Sequence, residues 1–140
     1  MDTEHDPVAR AEFVLRRIHP NHIDAQLNPA VQRVAFQPSP KDTDGLSVYR
    51  ELFVTPQRVA MAGRQGVQYH IARLGVSDLL RIGVSVKPSP RTDELPGHAI
   101  IPELTVQNAK HPQSKELQRE LAVLASRTIV YPPAVGREEA

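Results

Sequence analysis

At 140 residues, 40% of them apolar and 24% charged, the chain has the length of one domain and the composition to bury one core. It contains no cysteine, which excludes disulfides, thiolate metal sites and cysteine nucleophiles. Its 17 basic residues are dispersed for a net charge of +1, no apolar run approaches the roughly 20 residues of a membrane span, and MDTEHDPVAR has no apolar leader. A cytoplasmic protein without a membrane partner, and with nucleic acid not expected as a partner, follows from that profile.

Asp6-Pro7 reads as a helix cap and first-turn pair, giving one helical turn over 7–12 within an otherwise mobile N-terminus, 1–12. A single domain is expected over 13–131, with a disordered tail at 132–140. Phe13 to Ile18 reads as a strand, and His19 to Ala30 as a turn-rich connection. Val31 to Gln37 alternates as a half-buried strand stopped by Pro38 and Pro40, and Asp42, Asp44 and Gly45 supply turn chemistry. Leu46 to Val54 is the next strand, expected to pair across that turn with the one before it. Thr55-Pro56 starts a two-turn helix that ends before Gly63.

The stretch Val67 to Leu104 carries the densest apolar patterning, and the fold is expected to be organised around it. Val67, Tyr69 and Ile71 alternate, Ser77 to Ile82 makes a short helix closed by Gly83, Val84 and Val86 alternate again, and Ala99 to Ile101 forms a last apolar run. Leu117, Leu121 and Leu124, spaced i, i+4, i+7, define an amphipathic helix within Pro112 to Thr128, and Ile129 to Tyr131 extends as a final strand. The helix at 77–82 is too short for a parallel crossover. An α+β domain results, with a mixed or mostly antiparallel sheet, helices on one side, short helices and a C-terminal amphipathic helix.

Histidine is where chemistry would first be sought. His19 and His22 are spaced i, i+3, but Pro20 interrupts a regular helix, and no metal is expected. His98 follows the rigid turn Leu95-Pro96-Gly97 and opens a strand, which is how an imidazole is held for acid–base or ligand work. Glu103 could orient it. Arg16 and Arg17 cannot share a face of one strand, so one is expected at solvent and the other at a carboxylate such as Asp42, Asp44 or Glu51. Ser47 and Tyr49 could join His98 and either arginine in a polar pocket. No Gly-rich phosphate loop, G-x-S-x-G elbow, H-E-x-x-H or complete calcium loop is present, and no cofactor is implied.

The segments LRRIHP (Leu15 to Pro20), VAF (Val34 to Phe36), DGLSVYR (Asp44 to Arg50) and ARLGVSDLLRIGVSVKPSP…LPGHAII together resemble a family of small uncharacterised bacterial proteins, over about residues 13 to 104. The resemblance implies a bacterial source and carries no established activity. Two functions remain in view. One is a binding or accessory protein that presents a surface to a partner protein. The other is a small nucleotide-using enzyme resembling a minimal ADP-ribosyltransferase, with Arg17, Ser47 or Tyr49, and Glu103 around a dinucleotide.

Overall fold

A computed structural model describes residues 3–133. Six strands form one antiparallel sheet: β1 (Phe13–Ile18), β2 (Leu46–Arg50), β3 (His70–Gly75), β4 (Lys87–Pro88), β5 (His98–Ile101) and β6 (Ile129–Tyr131), in the spatial order β4-β5-β2-β1-β3-β6. Three helices join them: α1 (Pro56–Met61), α2 (Val76–Ile82) and α3 (Pro112–Ser126). The expected α+β domain with a C-terminal helix is what forms.

Both faces of the sheet bury side chains. On one, Val14, Ile18, Leu46, Val48, Leu74 and Ile101 meet Leu79 of α2 and Leu121, Ala122 and Ala125 of α3. Each such Leu or Ile contributes about 1.5–3 kcal/mol by leaving water. On the other face, Leu15, Tyr49 and Ile71 pack with Val54 and with Val59 and Ala60 of α1. Helices therefore lie on both sides rather than on one as expected. Because α1 packs against β1, β3 and β6, the β2–β5 part of that face is covered instead by the loop ahead of β5, whose Ser89, Glu94 and Leu95 lie against His98 and Tyr49.

Local chemistry accounts for the helix limits. The Thr55 side chain accepts from the Arg58 N–H, with Pro56 supplying a first-turn residue that needs no partner. Gly83 closes α2 at φ +114°, a left-handed conformation open to glycine, and its N–H returns to Leu79 and Leu80 carbonyls. In α3, Leu121 is fully buried while Leu117 and Leu124 flank the core.

Several sequence expectations are corrected. Residues 31–37 do not form a strand: Val31 makes one bridge to Ile23, and Arg33–Phe36 is a 3-10 turn. Ala35 and Phe36 are both buried against one core, which alternation along a strand would forbid. With β2 and β3 on either side of β1, β2 pairs with β1 and β5 instead of this segment. Val84 and Val86 stay outside the ladder because the Val84 N–H goes to the Leu79 carbonyl and the Ser85 N–H to Glu103. Residues 7–12 form no helix, since the carbonyls of Asp6 and Pro7 turn inward to accept from Arg50. From residue 134 onward, the expected tail lies outside the described residues.

Candidate functional site

Strand alternation sends Ser47 and Tyr49 to the face that α1 leaves partly bare, and the β2–β5 register sets His98 opposite Tyr49 and Ser47 opposite Ile100. His98 thus reaches Ser47 diagonally, a separation that long side chains span. Its Nδ1 is 2.7 Å from the Ser89 carbonyl oxygen, and its Nε2 is 3.1 Å from Ser47 Oγ. A carbonyl only accepts, so Nδ1 carries the proton; in the neutral ring Nε2 is then the acceptor and the Ser47 hydroxyl donates to it. The imidazole is 2% exposed, whereas Ser47 is partly exposed and faces open space.

Beside this pair, the Tyr49 hydroxyl donates to Glu94 Oε1 at 2.6 Å, while Glu94 Oε2 is 3.9 Å from His98 Nε2. Burial, and then the bond to Glu94, push the Tyr49 phenol up to about 12. The Tyr49 and His98 rings meet edge to face, with centroids 5.5 Å apart.

Arg16 and Arg17 enter from β1. Arg16 gives Nε and Nη2 to the Ala35 carbonyl and Nη1 to the Ser47 carbonyl. Burial of its guanidinium lowers the pKa to about 10, which leaves it fully charged at neutral pH. Arg17 donates to the Val59 carbonyl at 2.9 Å and stands over the rings of Tyr49 and Tyr69 at 5.7 and 5.6 Å. The sequence expectation for this pair is corrected: among the described residues neither arginine has a carboxylate partner, because Glu51 pairs with Arg73 and Asp42 accepts from the Ser39 N–H and hydroxyl.

These groups border a cleft of about 780 Å³, lined by Arg16, Arg17, Ser47, Tyr49 and Glu94 and by the loop residues Gln37, Ser39 to Thr43, Arg91 and Asp93. Lys41 is a third cation there without a carboxylate among the described residues, while Arg91 is held by Asp93 at 3.2 Å. Of the residues singled out from the sequence, Arg16, Arg17, Ser47, Tyr49 and His98 come together. Glu103 does not, and it does not orient His98: its oxygens accept from the Ser85 N–H and hydroxyl at 2.9 and 2.6 Å. Glu94 and the Ser89 carbonyl hold that neighbourhood instead. Glu94 was discoverable by its place four residues before His98 in the same rigid loop; the Ser89 carbonyl leaves no mark in a sequence.

His19 and His22 flank a 3-10 turn with ring centroids 5.9 Å apart. Among the described residues no group of three or more His, Asp or Glu side chains is placed to hold a metal ion. No family model, curated protein or solved structure shows a significant match to the chain.

Proposed function

We propose that the protein is a binding protein whose cleft on the β2–β5 face grips a compact oxyanion, a carboxylate or a phosphate. The observation that carries this reading is the adjacent pair Arg16 and Arg17, both bordering the cleft and both lacking a carboxylate partner among the described residues. Arg16 bonds only to carbonyls, and Arg17 to a carbonyl and, at 3.5 Å, to the Tyr49 hydroxyl; neutral acceptors leave a guanidinium its full charge, and partly desolvated charge attracts an anion more strongly than the same charge in water. The Thr43 hydroxyl lines the same cleft and offers a neutral donor, whereas the Ser47 and Tyr49 protons are committed to His98 and Glu94.

The anionic group could be presented by a partner protein, in keeping with an accessory role in a bacterial cytoplasm. Exposed apolar side chains such as Leu52 and Met61 give no comparable focus, because single exposed apolar residues are ordinary on any protein surface. The alternative of a nucleotide-using enzyme built on Arg17, Ser47 or Tyr49, and Glu103 loses its support from Glu103, whose carboxylate is engaged with Ser85.

Thermal denaturation with phosphate, citrate and succinate, each matched in ionic strength by sodium chloride, tests the proposal. A saturable rise in the midpoint with at least one oxyanion, lost in Arg17→Gln, is expected. Responses no larger than those to chloride would overturn it.

A further inference from the structure

We infer that Ser47 is a nucleophile activated by His98, and that the cleft takes small esters carrying an anionic group; the choice of substrate rests on the anion-binding reading above. Ser47 and His98 have the relationship a serine nucleophile requires: Oγ to Nε2 is 3.1 Å, and the opposite ring nitrogen is locked as a donor by the Ser89 carbonyl at 2.7 Å. That lock turns the Nε2 lone pair to the Ser47 hydroxyl, whose proton it is placed to receive. The imidazolium formed would be held by the Ser89 carbonyl dipole and by Glu94 Oε2, 3.9 Å from Nε2.

Burial divides the pair by role. The base is buried while the hydroxyl side chain lines the cleft, so a substrate in the cleft can meet Oγ with the imidazole behind it. The backbone behind the base is also fixed. Gly97 precedes it at φ +84°, where a Cβ would come within 3.0 Å of the Arg50 carbonyl oxygen and the Phe53 side chain, and its N–H donates to Glu4 Oε1 at 2.6 Å.

The reaction balances without a cofactor. Ser47 Oγ bonds to the ester carbonyl carbon as its proton passes to Nε2. The carbon–oxygen bond to the alcohol then breaks, and the departing alkoxide takes the proton from Nε2. Water, deprotonated by the same nitrogen, attacks the acyl-serine, releases the acid and restores the hydroxyl. Arg16 and Arg17 would hold the substrate's own anion and favour the negative charge that develops on the carbonyl oxygen.

The test uses the p-nitrophenyl monoester of succinate beside neutral p-nitrophenyl acetate, following nitrophenolate release and intact protein mass. One acyl group per chain, mapped to Ser47, is expected, with the anionic ester preferred. Labelling should vanish in Ser47→Ala and slow by about 10²-fold or more in His98→Gln. Since His98→Gln could fail to fold, Ser47→Cys supplies a second readout: it creates the sole thiol of a cysteine-free chain, and the nearby imidazole should make its alkylation faster than that of a free thiol. Wild-type protein that responds to oxyanions but neither acquires an acyl group at Ser47 nor releases nitrophenolate faster than Ser47→Ala, or a Ser47→Cys thiol of ordinary reactivity, would overturn the nucleophile alone. Absence of both the oxyanion response and the labelling would remove the binding reading as well.

Discussion

Ser47 and His98 lie 51 positions apart in the chain, yet a 3.1 Å hydrogen bond joins them across the β2–β5 ladder, and the histidine has no unfilled ring nitrogen. Removing the imidazole would orphan the Ser89 carbonyl and open a cavity. His98→Ala should therefore lower stability by about 2–5 kcal/mol, more than Ser47→Ala does. In a double-mutant cycle read by urea denaturation, the pair should couple by about 0.5–1.5 kcal/mol, the range of a neutral hydrogen bond. Additive effects would show that the bond contributes nothing to folding.

Glu12 and Arg50 form the most buried ion pair, with side chains 7% and 2% exposed and two parallel bonds of 2.9 and 2.8 Å. Glu12→Gln should cost about 3–5 kcal/mol because it strands a buried guanidinium, whereas replacing both residues by Leu and Met should cost less than either single change. Burial pushes the Glu12 carboxyl up, but the Arg50 bonds and charge together with the Ala9 N–H outweigh it and hold the group below its ordinary 4.5. A lowered carboxylate pKa stabilises the fold above the unfolded value, and that contribution disappears as pH falls through the folded value. Acid unfolding should accordingly begin at higher pH in Glu12→Gln than in the wild type, which a circular dichroism titration would measure.

Tyr49 predicts behaviour in alkali. Its pKa is raised to about 12, so its contribution is complete below the ordinary value of 10 and is lost as pH rises through 12, amounting to about 2–3 kcal/mol. Arg16 acts oppositely, because a base lowered from 12.5 to about 10 lets the folded state shed a proton first and gain stability across that interval. Net stability would blur the two. Phenolate absorbance separates them: of three tyrosines, one should ionise near pH 12, and Tyr49→Phe should abolish that late step.

Leu121 sits fully buried between α3 and the sheet. Leu121→Ala should reduce stability by about 2–5 kcal/mol, and an unchanged denaturation midpoint would contradict the packing described for α3.

The strands at Phe13–Ile18 and Ile129–Tyr131 are legible as apolar runs, the second stopped by proline, and the helices α1 to α3 by their caps, closing glycines or leucine spacing. Residues 31–37 and 84–86 were misread for a shared reason. Alternation records which residues prefer burial, but whether a segment joins a ladder depends on where its N–H groups find partners, as Ser85 with Glu103 illustrates. The grouping of His98, Ser47 and Tyr49 could be anticipated from a rigid turn entering a strand. The inward turn of both Arg16 and Arg17 could not, because it depends on carbonyls at Ala35, Ser47 and Val59 that any sequence would supply.

The sheet's outer strand β4 consists of Lys87 and Pro88 alone, and at the opposite margin the three residues of β6 run directly into Pro132 and Pro133. A proline cannot donate to an incoming strand, and a lysine resists being stacked against a copy of itself. Self-templated growth into fibrils is thereby blunted at both margins, so concentrated solutions of the folded chain should stay free of sheet-stacked polymer, and partners that recognise proteins by lending them a strand find little purchase on either side.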